Sequence, residues 1–137
     1  MTVIAYEDIG LANPSMGPKV DAAINACERL GLPEAQIILS NIVIELALSP
    51  KSNSAYLAID KALNDIRMGN TGNVPEHIKT NSPNYKYPHN YPNNFVKQQY
   101  LPDGLVGKKY YFPKNNTYEK KLSEILNKLE ELNKWIH

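Results

Sequence analysis

The sequence is poor in cysteine, with only Cys27 among its 137 residues. A single cysteine can form no internal disulfide, which is typical of proteins from a reducing compartment. No apolar run approaches the length of a transmembrane helix. The N-terminal stretch MTVIAYEDIG lacks the basic region of a signal peptide and has acidic residues early. We therefore expect a cytoplasmic protein without a membrane partner.

The chain also lacks a strong net charge, since its formal charge is only +1. Its charges are nevertheless unevenly distributed. Residues 1–76 have five Lys or Arg and nine Asp or Glu, a net charge of −4. Residues 77–121 have eight Lys and two acids, a net charge of +6, and residues 122–137 have two Lys and three Glu, a net charge of −1. The total charge therefore indicates no partner, but a basic block follows an acidic region.

Motifs for catalysis, nucleotide binding and metal binding are missing as well. Gly104, Gly107 and Lys108 have the wrong spacing for a phosphate-binding loop, and no Ser or Thr follows them. The three histidines are scattered, and none is at zinc-ligand spacing from Cys27, which lies on an apolar helical stripe. We therefore predict no catalytic, cofactor-binding or metal-binding residue and no enzymatic activity in this chain.

Two helices are predicted in the first fifty residues. The first has Asn13 as its N-cap and Pro14 at its first position, and it ends at Gly31. The next begins at Pro33 and is apolar on almost every side, so it is expected at the centre of a bundle. A strand is the alternative for this second segment, because it is rich in β-branched Ile and Val.

A third helix is predicted with Ser49 as its cap, Pro50 at its start and Gly69 at its end. Its apolar stripe consists of Tyr56, Ile59, Leu63 and Ile66.

The final helix is predicted over residues 116–137 and begins at a capping box formed by Asn116 and Glu119. Its narrow apolar stripe consists of Leu122, Ile125 or Leu126, Leu129, Leu132 and Ile136. Such a stripe packs either on the chain's own helices or on another chain.

Aromatic residues and proline are concentrated between the third and the final helix. Residues 81–118 contain seven of the nine Tyr, both Phe and five of the ten Pro. Proline and the missing periodicity exclude a long helix, whereas so many aromatic residues argue against disorder. We therefore predict an extended strap, residues 80–115, whose rings dock on a helical body, residues 1–79. The predicted anchoring side chains are Tyr85, Tyr87, Tyr91, Phe95, Tyr100, Tyr110 and Tyr111.

The strap contains two further patterns. Pro102-Asp103-Gly104 is a turn signal between β-favouring flanks and predicts a short β-hairpin. Basic residues interleave with the aromatic residues, as in grooves that hold single-stranded nucleic acid. In the alternative interpretation, the rings face inward and the lysines face solvent. The candidate DNA contacts are Lys97, Lys108, Lys109 and Lys114.

Four strings go beyond these general patterns: EDIGLANP, SPKSNSAYLAIDKAL, YKYPHNYPNNFVKQQYLPD and GKKYYFP. In this order they resemble the C-terminal region of the replication-associated recombination protein A family, also called RarA or MgsA ATPases and related to the Werner-helicase-interacting protein. The resemblance covers about residues 5–113. It implies an all-helical domain similar to the clamp-loader collar, which assembles the protein into a tetramer.

The resemblance also implies an upstream AAA+ motor that binds ATP and Mg²⁺ and acts at stalled or damaged replication forks. This motor would act with DNA and with single-strand-binding protein. Its Walker motifs do not occur in this sequence, so ATP and Mg²⁺ are expected in a motor outside it.

Residue patterns and resemblance together predict a mainly all-α, single-domain helical bundle with an extended strap and a short hairpin. The predicted function is a collar that joins copies of the chain into a homo-tetramer. The alternative is an accessory module that docks single-stranded DNA or another protein.

Overall fold

The computed structural model describes the backbone of residues 1–135 and the side chains of residues 1–132. Its four α-helices are α1 (Met16–Leu30), α2 (Ala35–Leu48), α3 (Ser54–Arg67) and α4 (Thr117–Trp135). A π-helical segment, Ile4–Ile9, and a 3₁₀ turn, Gly10–Ala12, precede α1. Single 3₁₀ turns punctuate the chain between α3 and α4, at Glu76–Ile78, Pro88–Asn90, Pro92–Asn94 and Asp103–Leu105. The predicted all-α class is confirmed, since residues 1–135 contain no strand.

The chain is organised in two units. The first comprises Met1–Ile59 and Tyr111–Glu124, and the second comprises Asp60–Tyr110 and the part of α4 from Ile125 onward. Both α3 and α4 therefore contribute residues to each unit. Most of the predicted strap belongs to the second unit, and residues 111–115 belong to the first. None of the helices in residues 1–135 has both the length and the apolar character needed to cross a bilayer.

The core of the first unit lies between α1, α2 and the π-helical segment. Its buried residues are Ala5, Ile9, Met16, Val20, Ala23, Ile42 and Leu46, with Ile24 and Ile38 packed against them. Full burial of an aliphatic side chain of this size contributes about 1.5–3 kcal/mol. The core therefore holds α1 and α2 together along one face of each helix.

The predicted end of α1 is confirmed, but the helix begins later than expected. Gly31 has a φ of 70°, and its N–H donates to the carbonyl of Cys27 at 2.9 Å. At the start, the carbonyl of Asn13 accepts the N–H of Met16 at 3.1 Å. The Asn13 side chain accepts a hydrogen bond from Ser15 Oγ at 2.7 Å. Asn13 therefore forms a turn before the helix, and Pro14 lies outside α1.

The predicted start of α3 at Pro50 is wrong by four residues. Ser49 Oγ donates to the carbonyl of Glu45 at 2.7 Å, so its hydroxyl serves the end of α2. The N–H of Ser52 donates to the carbonyl of Asp8 at 2.8 Å. This bond holds the connecting segment against the N-terminal residues, and α3 begins only at Ser54.

The β-hairpin predicted at Pro102-Asp103-Gly104 is not formed. The chain does reverse there, because the N–H of Leu105 donates to the carbonyl of Pro102 at 2.8 Å within a 3₁₀ turn. The N–H of Lys108 then donates back to the carbonyl of Leu105 at 3.0 Å. These are local bonds, and a two-stranded hairpin needs packing support from the rest of the fold. The turn signal was therefore correct, but the strands were not.

Candidate functional site

The first candidate site is an uncovered apolar face of α2, which we call the α2 stripe: Ile37, Asn41, Ile44 and Leu48. These residues are four, three and four positions apart and therefore share one face of the helix. Ile37, Ile44 and Leu48 are 69%, 55% and 80% exposed, and the adjacent Val43 is 51% exposed. The helix assignment for this segment is confirmed and the strand alternative is wrong. The central position in a bundle is also wrong, because only one face of α2 is covered.

The α2 stripe contains no charged side chain. Glu45 is the one charged residue of α2, and its carboxylate pairs with the ammonium of Lys19 on α1. An apolar face without charge has an unfavourable contact with water and offers no ionic partner to a ligand. Its chemistry therefore suits another apolar surface.

The apolar stripe predicted for α3 is exposed as well. Tyr56, Ile59, Leu63 and Ile66 all have more than a third of their surface in solvent. The covered side of α3 instead has small and polar residues: Ser54 is buried, and Ala58, Ala62 and Asp65 are half-buried. The sequence pattern therefore identified a real stripe, but the chain itself does not cover it.

The stripe of α4 is mixed in the part that the structure describes. Leu122 and Leu126 are half-buried, whereas Ile125, Leu129 and Leu132 are exposed. Ile136 and the last predicted residue of this helix lie outside the described residues.

The second candidate site is a buried polar cluster of the first unit, which we call the Glu119 node: Ser52, Ser54, Tyr111, Asn116 and Glu119. Glu119 is fully buried. Its Oε1 accepts hydrogen bonds from Ser54 Oγ and, at 3.0 Å, from Tyr111 Oη. Ser52 Oγ donates to Ser54 Oγ at 3.0 Å. The node therefore joins the end of the strap and the start of α4 to the start of α3.

The N-cap predicted at Asn116 for α4 is confirmed and belongs to this node, but Glu119 returns its bond to the Asn116 side chain and not to the backbone N–H of a capping box. The N–H of Glu119 donates to Asn116 Oδ1 at 2.9 Å, and Asn116 Nδ2 donates to Glu119 Oε2. The glutamate at this position of a helix is usually at the surface. Glu119 is instead buried, and its carboxylate accepts hydrogen bonds from the neutral side chains of Ser54, Tyr111 and Asn116. The sequence pattern located the cap but gave no signal for the burial.

The surroundings of the Glu119 node shift the pKa values of Glu119 and Tyr111 in opposite directions. Burial raises the pKa of Glu119, but the hydrogen-bonded pair of Ser52 and Ser54, together with Asn116, outweighs it and lowers the pKa to about 2. Burial and the hydrogen bond to this carboxylate raise the pKa of Tyr111 to about 12. At neutral pH the node therefore contains a charged carboxylate and a neutral tyrosine.

The third cluster lies in the second unit around Asp65. Lys108 Nζ is 2.5 Å from Asp65 Oδ1, and Tyr110 Oη donates to Asp65 Oδ2 at 2.9 Å. Asn70 Nδ2 donates to Asp65 Oδ1 at 3.1 Å. The hydrogen bond from Lys108, followed by that from Tyr110, lowers the pKa of Asp65. This cluster connects the segment of the strap just before Tyr111 to the last turn of α3.

The candidate DNA-binding lysines have partners within the chain. Lys108 is paired with Asp65, and Lys109 is paired with Glu130. Lys114 donates to Asn53 Oδ1 in the first unit. Lys97 is half-buried and lines a cleft of about 750 Å³ together with Leu101, Val106 and their neighbours. A nucleic acid would therefore have to compete with carboxylates for Lys108 and Lys109, and DNA contact by these lysines stays a prediction.

The seven aromatic residues predicted to anchor the strap fall into two groups. Phe95, Tyr110 and Tyr111 are half-buried, and the two tyrosines donate to carboxylates as described above. The more exposed group consists of Tyr85, Tyr87, Tyr91 and Tyr100. Anchoring by the rings stays a prediction, whereas the hydroxyl contacts of Tyr110 and Tyr111 are part of the structure. Their acceptors, Asp65 and Glu119, were not recognised as a site in the sequence.

No group of three or more His, Cys, Asp or Glu side chains in the described part of the chain is arranged to hold a metal ion.

Comparison with known proteins identifies relatives for almost the whole chain. The sequence profile described as "MgsA AAA+ ATPase C terminal" matches residues 1–130. A protein of Bacillus subtilis (strain 168) named Replication-associated recombination protein A is 55% identical over 140 residues, covering 94% of this chain and 33% of that protein. Proteins of the same name from Escherichia coli (strain K12) and Coxiella burnetii (strain RSA 493 / Nine Mile phase I) are 33% and 32% identical. These matches cover 93% and 95% of this chain, and 31% and 32% of the two proteins. The chain thus spans about a third of the length of the curated relatives it matches.

Proposed function

Because the chain belongs to the MgsA AAA+ ATPase C-terminal family, we propose that it is the oligomerisation collar of a clamp-loader-like ATPase. In this proposal the chain itself catalyses no reaction and joins its copies into a homo-tetramer. An AAA+ motor elsewhere in the protein binds ATP and Mg²⁺. The assembled protein acts in the cytoplasm on stalled replication forks, during replication, recombination and repair.

The observation that carries the proposal is the set of apolar helix faces that the chain leaves uncovered. The α2 stripe and the predicted stripe of α3 are in solvent, and three residues of the α4 stripe are exposed. Apolar patches of a few hundred Å² are the largest that monomeric proteins expose, and such patches are often functional. Association of several copies would remove such faces from water.

The Glu119 node supports the same function by holding the elements of the first unit in fixed positions. Its hydrogen bonds connect Ser54 at the start of α3 with Tyr111 and with Glu119 at the start of α4. A surface that is already ordered before binding loses less conformational entropy when it associates. The node therefore favours assembly without being part of the interface.

Multi-angle light scattering of the purified chain over a wide concentration range tests the proposal. We expect a mass above that of one 15.4 kDa chain, rising to four chains at high concentration. A mass of one chain at every concentration would contradict it. A parallel assay for ATP hydrolysis should show no activity above background.

A second candidate function is an accessory module that docks single-stranded DNA, favoured by the net charge of +6 in residues 77–121. In this second proposal, the full-length protein binds protein partners such as single-strand-binding protein. Because phosphate contacts release counterions, DNA binding by this block must weaken steeply as salt rises. The double variant Lys108→Glu and Lys109→Glu should abolish binding while leaving the far-UV circular dichroism spectrum unchanged.

Lys19→Glu is the matched control for the DNA experiment. Lys19 is also ion-paired, with Glu45, but it lies outside the basic block. Equal loss of binding in the control and in the double variant would indicate a general charge effect. Absence of binding by the unmodified chain at low salt would refute the second function.

A further inference from the structure

The α2 stripe has the length and composition of a helix–helix contact. Helix α2 has 14 residues and is therefore about 21 Å long. Its buried residues Ala35, Ile42 and Leu46 face the core, while the stripe occupies the other side. The three exposed aliphatic side chains of the stripe present roughly 300 Å² of apolar surface, the size of the largest patch on a typical monomer, which is often functional.

Charge and area both favour a second copy of the stripe as the occupant. A partner with a basic or acidic surface would find no opposite charge here, because the stripe has none. Two stripes with the small residues beside them bury an area at the lower limit of a specific interface, roughly 1,000 Å². In closed dimers, the same surface patch of each subunit meets its counterpart across a two-fold axis.

Asn41 is the one polar residue of the stripe. Its Nδ2 donates to the carbonyl of Ile37 at 2.9 Å, one turn earlier in the same helix. Its Oδ1 has no hydrogen-bond donor among the residues that the structure describes. A single asparagine within an apolar helix seam sets the register and the number of helices that associate. Asn41 is therefore placed to pair with the same residue of another copy.

We propose that α2 packs against α2 of a second copy across a two-fold axis. Ile37, Ile44 and Leu48 form the apolar contact, and Asn41 fixes the register beside the axis. This inference rests on the proposed collar function and names the surface through which the collar assembles.

The first test replaces Ile44 by glutamate. Because Ile44 is 55% exposed, Ile44→Glu should retain the helical circular dichroism spectrum of the unmodified chain. Two buried like charges at the interface should lower the mass measured by light scattering at least twofold. The control Leu32→Glu changes a residue that is 74% exposed but lies outside α2, and its mass should equal that of the unmodified chain.

The second test uses a single cysteine and does not depend on the behaviour of Ile44→Glu. Asn41→Cys in a Cys27→Ala background should form disulfide-linked dimers under mild oxidation. A residue beside a two-fold axis meets its own counterpart, and the two α-carbons must approach within about 7 Å. The control Leu32→Cys in the same background should remain largely unlinked.

The outcomes separate this inference from the collar function. If the unmodified chain is a monomer at every concentration, both the function and the inference fail. If the chain associates but Ile44→Glu leaves its mass unchanged, the collar stands and the α2 interface is refuted. Absence of cross-linking in Asn41→Cys while the oligomer persists would equally overturn the two-fold arrangement.

Discussion

Replacing Glu119 by glutamine tests the Glu119 node, because it removes the charge while keeping nearly the same shape. The hydrogen bonds to the buried carboxylate lower its pKa from an ordinary value of 4.5 to about 2. At 1.36 kcal/mol per pKa unit, this shift corresponds to about 3 kcal/mol of stability in the charged state. Glutamine also places an N–H₂ group opposite a donor, since Oε2 accepts from Asn116 Nδ2. We therefore expect Glu119→Gln to lower the free energy of unfolding at neutral pH by about 3 kcal/mol.

The sign of the pH dependence follows from the direction of the shift. A carboxyl whose pKa is lower in the folded state contributes its full stability above its pKa in the unfolded state. For Glu119, this contribution is present above about pH 4.5 and is lost as the pH falls towards 2. The stability difference between the unmodified chain and Glu119→Gln should therefore shrink over this range.

Urea denaturation followed by circular dichroism at several pH values measures both effects. The control is Glu124→Gln, which removes an exposed carboxylate from the same helix and should change the free energy of unfolding by less than about 0.5 kcal/mol. The reasoning is refuted if Glu119→Gln is as stable as the unmodified chain at neutral pH. It is equally refuted if the difference stays constant between pH 4.5 and pH 2.

Two further substitutions test the packing and the hydrogen bonds of the first unit. A Cβ atom added at Gly17 would lie 2.2 Å from Cζ of Tyr6, so Gly17→Ala must displace the end of the Tyr6 ring. Because that ring is 54% exposed and alanine favours the helix by about 1 kcal/mol, the thermal unfolding midpoint should change little, and a large fall would show that the ring is held in place. Tyr111→Phe removes the hydroxyl that donates to Glu119, so chemical denaturation should show a loss of about 1.5–3 kcal/mol, and no loss would mean that water replaces the bond.

Local sequence signals predicted the helices better than they predicted their environment. Gly31 at the end of α1 and the N-cap at Asn116 act within one helical turn, and both are confirmed. Ser49 and Pro50 are also local signals, but the Ser49 hydroxyl binds the end of α2. A serine between two helices can cap the end of the first or the start of the second. Here the bond from the Ser52 N–H to the Asp8 carbonyl holds the connecting segment, and α3 begins only after it.

The covered and uncovered faces could not be predicted, because a periodic pattern does not show what packs on a stripe. The apolar side chains of α2 indicate burial, but the chain covers only the face with Ile42 and Leu46. A face covered by another copy has the same sequence pattern as a face covered by the chain's own core. The Glu119 node was missed for a related reason, since Ser54 and Glu119 are 65 residues apart in sequence.

Sedimentation equilibrium of the purified chain at low and high salt tests most directly whether these apolar faces join copies of the chain. Apolar association does not depend on ionic attraction, and salts excluded from the protein surface strengthen it. We therefore predict a mass above 15.4 kDa that persists or rises in high salt and falls for Ile44→Glu. A mass of one chain under all conditions, or an assembly that dissociates as salt rises, would contradict the account.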